Sequence, residues 1–139
     1  MPADGGSIFA KLIDGTIPCQ KVFENDTVFA FLDINPLAEG HTLVVPKRTV
    51  ERLEELTPDE AAELGRQVSV LAGRVMAVTG AAGCNVLQNN GSVAGQEVPH
   101  VHFHIIPRNA GDGLGYRWKP QKGDLERLAA LAARIQAEA

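Results

Sequence analysis

The chain has 139 residues and a formal net charge of −4, with 45% hydrophobic and 22% charged residues. The length is close to the commonest size of a single domain, and the composition excludes disordered, collagenous and disulfide-scaffold classes. The acidic balance argues against nucleic acid as a partner, because nucleic-acid binding depends on clustered Lys and Arg.

The cysteines and the N-terminal segment bear on localisation. Cys19 and Cys84 are far apart and form no C-x-x-C motif, which is typical of a reduced cytosolic protein. The segment MPADGGS lacks the basic and apolar regions of a signal peptide, and no run of about 18 apolar residues occurs. We expect a cytoplasmic protein with no membrane partner, in which residues 1–6 are a flexible start to one domain spanning 1–139.

The first third of the sequence predicts a short helix and three strands. Ser7 is a favoured N-cap, and the helical spacing of the apolar residues after it predicts a helix that ends at Gly15. Two segments rich in Val and Phe, at 21–24 and 27–32, predict a β-hairpin. A third strand at 41–45 follows a proline-containing break.

The middle of the sequence predicts a long helix and two further strands. Thr57-Pro58-Asp59-Glu60 forms a capping-box pattern with proline at the first helical position, and Gly80 is the expected end of the helix. Residues 84–88 and 101–106 predict two strands separated by a glycine-bearing loop.

The C-terminal part predicts a loop and a last helix. Residues 108–122 are polar and glycine-rich, and Asp124 can cap a helix over 123–138. Trp118 either packs this loop or, in a dimer, reaches the substrate pocket of the partner. The elements together predict the α+β class, with a meander of about five antiparallel strands and two main helices.

Three of the four histidines lie within five residues. His100, His102 and His104 alternate with apolar residues, so on a strand the three imidazoles share one face and the apolar side chains share the other. The pattern is compatible with an exposed polar face, a metal site or a catalytic site. His100 and His104 would have Cα atoms about 13 Å apart, which prevents one zinc ion from binding all three rings easily.

Of these three alternatives, a catalytic site makes the most use of the chemical properties of imidazole. A ring with an ordinary pKa of about 6.5 is largely neutral and nucleophilic at pH 7. His102 has a histidine on each side to orient it and is therefore the candidate nucleophile. The preceding loop, 89–99, offers amide side chains and glycine N–H groups that could hold phosphate, although it could equally be a plain turn.

The motif HVHFHII at His100–Ile106 resembles the signature of the histidine triad (HIT) family. SIFAKLIDGTIP, FAFLDINPLAEGHTLVVPK and NNGSVAGQEVPHVHFHIIPRNAGDG extend the similarity to bacterial members over nearly the whole chain. The resemblance implies a HIT-like meander, a homodimer whose sheets join into one, and a purine nucleotide substrate. It implies no metal or organic cofactor in the reaction.

The resemblance also implies roles for the histidines. His102 would attack the α-phosphorus of a nucleotide conjugate and give a nucleotidyl-imidazole intermediate, which water then hydrolyses. The backbone carbonyl of His100 would accept from the other nitrogen of His102 and so leave Nε2 free. His104 would contact phosphate or the bridging atom, and His41 matches the fourth histidine of the family.

Substrate contacts are implied in the same way. Asp33 would bind the ribose hydroxyls, and Asn89 matches a position where family members place an amide against phosphate. Gln96, in the Gly-Gln pair that precedes the signature, would also bind substrate. A set of apolar residues, which in isolation would be ordinary core, would surround the base. They are Ile8, Phe9, Leu12, Phe31 and Ile34.

The sequence departs from the family pattern in two places. Glu97 stands where relatives often carry Ser or Thr, and its carboxylate would repel phosphate unless protonated or turned away. Many bacterial members also hold a structural zinc through C-x-x-C and two histidines. Three of those four positions are Ser7, Ala10 and Thr49 here, so we expect no bound zinc.

The expected function is therefore a nucleotide hydrolase or transferase that acts on purine nucleoside phosphoramidates or related conjugates. The segment IIPRNAGDG is also similar to members that cleave dinucleoside polyphosphates, so that activity stays open. A third possibility is a nucleotide-binding interaction module in which the histidine strand is not catalytic.

Overall fold

A computed structural model describes residues 7–115 and 118–138; the predicted flexible segment 1–6 lies outside them. Five strands form one antiparallel sheet in the order β1-β2-β3-β5-β4. Their bounds are Lys21–Glu24 (β1), Val28–Leu32 (β2), Thr42–Pro46 (β3), Gly83–Gln88 (β4) and Phe103–Arg108 (β5). The predicted α+β class and antiparallel meander are confirmed.

The described residues also form three α-helices: α1 at Ile8–Ile13, α2 at Pro58–Thr79 and α3 at Leu125–Ala137. The long helix α2 forms where the sequence predicts it. Thr57 Oγ1 accepts from the backbone N–H of Glu60, the Glu60 carboxylate accepts from that of Thr57, and Gly80 closes the helix with φ +69°. α3 begins at the predicted cap, Asp124.

The central strands of the sheet are buried on both faces. Alternate residues of its central strands pack beneath α2 in a cluster that includes Ala30, Val44 and Ile105. The intervening residues form a second cluster with α1 on the other face; its buried members are Phe9, Phe29, Phe31, Leu43 and Val45. Since Leu43 is paired with His104, the histidine face of β5 lies on the α1 side.

The histidine strand begins later than predicted. Residues 101–106 were expected to be extended in the sheet, but β5 spans Phe103–Arg108, so His104 is the one triad residue inside the ladder. The backbone N–H of His100 bonds to Val98 O, and that of Val101 bonds to Val50 O. Pro99 and these two bonds divert the chain from the ladder before Phe103, since a backbone N–H used elsewhere cannot pair with a strand.

The connection between β2 and β3 places the fourth histidine. The Asp33 N–H donates to His41 O and closes the loop. Gly40 has φ +93°, and a Cβ atom there would lie 2.6 Å from Thr79 Cγ2. Only glycine fits this position comfortably, because the loop both turns left-handed and packs against the end of α2. His41 thereby comes directly before β3, which pairs with β5.

The last helix stands apart from the core. No side chain of α3 is buried, although its spacing of leucines is that of a packed amphipathic helix. Among the described residues, no helix has the length and apolar content needed to cross a bilayer.

Candidate active site

His102 is held with one ring nitrogen bonded and the other open. Its Nδ1 lies 2.7 Å from the backbone oxygen of His100. A carbonyl oxygen can only accept, so Nδ1 carries the proton and Nε2 keeps its lone pair. The ring is 7% exposed, and the Phe9 ring stands edge-on to it with centroids 5.0 Å apart. Packing and the hydrogen bond together fix the direction of the lone pair.

His100 is completely buried and supports His102 through its backbone. Its Nε2 donates to Pro46 O at 2.8 Å, and its Nδ1 lies 2.7 Å from Ser7 Oγ. Burial lowers the pKa of His100, although the bond to Pro46 O opposes this. The ring is therefore neutral at pH 7, and its side chain is structural rather than exposed to a ligand.

His41 and His104 form a second pair of rings. The backbone N–H of Leu37 donates to His41 Nδ1 at 3.0 Å, which leaves the proton of neutral His41 on Nε2. That Nε2 donates to His104 Nδ1 at 3.0 Å. His104 must then carry its own proton on Nε2, where no described protein group receives it. The pair therefore presents an N–H donor beside His102, whose ring centroid is 5.0 Å from that of His104.

The rings of His41 and His104 are neutral at pH 7. Burial, with smaller effects of His102 and His41, lowers the pKa of His104 to about 4. Burial also lowers the pKa of His41, against the opposing effect of the Asp33 carboxylate. The site therefore meets an anionic ligand with N–H dipoles rather than with imidazolium charges.

Asp33, His41 and His104 offer three potential metal ligands within 4.8 Å of one another. A metal needs a lone pair from each imidazole, yet the Leu37 N–H keeps the proton of His41 on the nitrogen that faces the cluster. A metal could bind only if the Leu37 bond broke or the ring became an imidazolate. These donors therefore fit a hydrogen-bonded relay better than a metal centre.

The predicted ribose and base contacts differ in exposure. Asp33 is half-buried, with Oδ2 3.7 Å from His41 Nε2 and Oδ1 accepting from the Asn35 N–H at 2.9 Å. Of the five apolar residues, Phe9 and Phe31 are buried in the core, where their rings pack edge to face. Leu12 is half-buried, whereas Ile8 is 50% exposed and Ile34 89% exposed. The exposed side chains are open to a ligand, whereas the two phenylalanines belong to the core.

The loop before the triad is organised by Gln96. This side chain is 7% exposed; its Oε1 accepts from the Gly91 N–H, and its Nε2 donates to Glu51 O and Val98 O. These bonds all go to backbone groups and give Gln96 a structural role in the loop, and its predicted contact with substrate stays a prediction. Asn89 is half-buried beside Gly95 and makes no side-chain hydrogen bond among the described residues, so its amide is available for a ligand.

Glu97 faces solvent at a cleft of about 300 Å³ next to this loop. Glu51, Arg52 and Ser92 also line the cleft. Two carboxylates and one guanidinium make the cleft unfavourable for a polyanion. The sequence identifies Glu97 as unusual, but it gives no signal that Glu51 and Arg52 share its cleft.

The comparisons with known proteins agree with this geometry. A model of the HIT domain matches residues 14–111. This chain is a HIT-family protein.

Two relatives and one solved structure illustrate the similarity. An uncharacterized HIT-like protein of Methanocaldococcus jannaschii is 53% identical over 76% of this chain and 81% of its own length. Adenosine 5'-monophosphoramidase hnt1 of Schizosaccharomyces pombe is 41% identical over 94% of this chain and 96% of its own. The crystal structure of a Bacillus anthracis HIT-family protein has a TM-score of 0.92 and 40% identity, and covers 99% of each chain.

The positions that hold zinc in many bacterial HIT members have a different chemistry in this chain. Ser7 contacts His100, so the two positions are adjacent as a metal site would require. Ser7 supplies a neutral hydroxyl, Ala10 no ligand and Thr49 another hydroxyl, and both nitrogens of His100 are already bonded. This donor set does not fit a structural zinc, which binds thiolate and imidazole.

Several contacts of this HIT site could not be found from sequence. Pro46 O and the Phe9 ring touch the histidines from segments far away in the chain. Ser7 is recognisable as a helix N-cap, but its second hydrogen bond spans 93 positions. No local pattern encodes a pairing of that kind.

The lowered pKa of His104 predicts a pH-dependent stability. In the unfolded chain the ring takes a proton below about pH 6.5, whereas the folded ring stays neutral until about 4. The unfolded state therefore binds more protons as the pH falls, and the free energy of unfolding should decrease from pH 6.5 to 5. Urea titrations should show a shallower decrease for His104→Gln than for the wild type. Equal slopes would contradict the assignment.

Proposed function

We propose that this HIT protein is a nucleotide hydrolase or transferase that acts at the α-phosphate of purine nucleoside phosphoramidates. The observation that carries the proposal is the His102 ring, whose Nδ1–H is held by the His100 carbonyl so that Nε2 presents a lone pair. The named activity of the fission yeast relative supports the same class of substrate. Hydrolysis would proceed in two steps through a covalent nucleotidyl-histidine.

In the first step, His102 Nε2 would form a bond to the α-phosphorus as the bond from phosphorus to the leaving nitrogen breaks. The ring becomes cationic while it carries the nucleotidyl group, and the His100 carbonyl stabilises the Nδ1–H of that cation. The open Nε2–H of His104 would donate a hydrogen bond to a phosphate oxygen or to the departing nitrogen, which takes a proton from solvent and leaves as ammonia. A water molecule would then attack phosphorus from the vacated side, the bond from phosphorus to His102 Nε2 would break, and the nucleotide, neutral His102 and one proton would be released.

The nucleoside would occupy the α1 side of the sheet. Asp33 would accept hydrogen bonds from the ribose hydroxyls, and the exposed side chains of Ile8 and Ile34 would contact the purine. Asn89 and the glycine-rich loop would donate to phosphate oxygens. Glu97 would lie on the leaving-group side, five residues before the nucleophile.

A dinucleoside polyphosphate is the alternative substrate, and the charge of the cleft favours the phosphoramidate. Glu97 and Glu51 would repel a polyphosphate leaving group, and Arg52 offsets one of the two charges. An amine leaving group carries no such penalty. A non-catalytic binding module is the third candidate, but it would not need an open lone pair on His102 or an N–H donor beside it.

We further propose a homodimer in the cytoplasm. Leu125, Leu128, Leu131 and Ile135 form an exposed apolar stripe on α3; burying each side chain would contribute about 1.5–3 kcal/mol. The edge strand β4 also exposes Val86, and a second sheet could continue there.

Cys19 and Cys84 are free thiols, as expected in a reducing compartment.

Replacing the nucleophile tests the mechanism. His102→Ala should lower kcat for adenosine 5'-phosphoramidate by about 10⁴-fold or more, because no other described ring offers a comparable lone pair. Affinity for AMP, measured by calorimetry, should remain within a few-fold. Mass spectrometry after a rapid alkaline quench should detect a nucleotidyl adduct on His102 in the wild type. Full turnover by the variant would overturn the assignment.

Removing the unusual carboxylate tests the choice of leaving group. Glu97→Gln should raise the ratio of kcat/KM for diadenosine tetraphosphate to that for adenosine 5'-phosphoramidate by about fivefold, the effect of losing roughly 1 kcal/mol of repulsion. Glu138→Gln makes the same charge change on the exposed end of α3 and is the control. An unchanged ratio for Glu97→Gln would place this carboxylate away from the leaving group.

The oligomeric state tests the apolar stripe of α3. Sedimentation should give a dimer for the wild type and mainly monomer for Leu128→Glu, since a charge would be buried without a partner. Ala133→Glu, on the opposite side of the helix, is the matched control and should stay dimeric. A monomeric wild type would contradict the proposal.

A further inference from the structure

Ser7 lies directly behind the histidine that supports the nucleophile. Its Oγ is 2.7 Å from His100 Nδ1, and both residues are buried, at 6% and 0% exposure. Ser7 is also the N-cap of α1, where its Oγ accepts from the Ala10 N–H at 3.0 Å. One hydroxyl therefore connects the first helix to the triad across 93 positions of sequence.

The directions of these hydrogen bonds are determined. Pro46 O can only accept, so the proton of neutral His100 lies on Nε2 and Nδ1 is an acceptor. The Ala10 N–H can only donate to the hydroxyl oxygen. The Ser7 O–H must then donate to His100 Nδ1, so the hydroxyl acts as a donor to the triad and as an acceptor for the helix N-terminus.

This arrangement reaches the nucleophile by two routes. The side chain of His100 is pinned at both nitrogens, which fixes the position of its backbone carbonyl against His102 Nδ1. The same bond anchors α1, and α1 carries the Phe9 ring that packs against both His100 and His102. Without the Ser7 hydrogen bond, both the His100 carbonyl and the Phe9 ring would be held less firmly.

We propose that Ser7 is a positioning residue for His102: its hydroxyl holds the His100 ring at Nδ1, opposite the bond to Pro46 O, and thereby helps to fix the His100 carbonyl that orients the nucleophilic lone pair. The catalytic part of this inference rests on the function proposed above. A group acting through geometry should affect kcat more than KM, since substrate contacts are unchanged while the reacting atoms lose alignment.

Three variants separate the hydroxyl's two tasks. Ser7→Thr keeps the cap and the donor. Ser7→Asp keeps a favoured N-cap but replaces the donor with an acceptor, whereas Ser7→Ala removes both. Thr57→Ala is the matched control, because it removes the equivalent cap of α2, away from the triad, and should cost a similar amount of stability.

With adenosine 5'-phosphoramidate, kcat should fall about tenfold for Ser7→Ala and Ser7→Asp, with KM changed less than about twofold. Ser7→Thr and Thr57→Ala should keep kcat within about twofold of the wild type. Unchanged kcat in both Ser7→Ala and Ser7→Asp would overturn the proposal. So would an equal loss in Thr57→Ala, because the effect would then follow stability alone.

Nuclear magnetic resonance of the imidazole nitrogens tests the same inference without substrate. The wild type should show His100 protonated at Nε2 alone and a slowly exchanging His102 Nδ1 proton. Ser7→Asp should protonate both nitrogens of His100 at pH 7, and Ser7→Ala should speed exchange of the His102 proton. If the wild type hydrolyses no phosphoramidate but these signals change as expected, the proposed substrate fails and the positioning role stands. Wild-type signals in both variants would overturn that role.

Discussion

A single backbone carbonyl, that of His100, is the constraint on which the site depends. Because this oxygen can only accept, the bond to His102 Nδ1 decides which nitrogen of the central ring has a lone pair. The rest of the structure keeps that carbonyl in place: Pro46 and Ser7 bind the His100 ring, and the hydrogen bond of Val101 to Val50 holds the adjoining chain. The hydrophobic core beneath α2 contributes indirectly. It holds β3, which carries Pro46, and β5, which follows the His100 carbonyl in the chain.

The second principle of the site is that its buried histidines are neutral. Burial keeps His41, His100 and His104 neutral, and a chain of net charge −4 has little surplus cationic surface. The N–H dipoles of the rings, of the amide side chains and of the loop backbone would then face a bound phosphate. Such groups are aligned before the ligand arrives and cost little reorganisation when negative charge moves between oxygens.

Much of the fold could be predicted because local chemistry determines it. The capping box at Thr57, the left-handed Gly80 and the hairpin at 21–32 depend on neighbouring residues, and each is found as predicted. The histidine pattern also identifies the nucleophile candidate. The pattern places the strand two residues too early, because the competing bond from Val101 to Val50 O lies outside the window that shows the alternation. The packing of Phe9 on His102 and the occupied amide of Gln96 are tertiary contacts between distant segments, which periodicity cannot specify.

The late start of β5 has a mechanical consequence. His102 sits one residue before the ladder, so its peptide group is not locked into the rigid lattice of paired strands that begins at Phe103. His104, in contrast, is paired within the sheet with Leu43 on one side and Leu87 on the other. The two adjacent rings are therefore held by different means, so a change in the strand ladder would reach His104 first, whereas a change at the His100 carbonyl would reach His102 first.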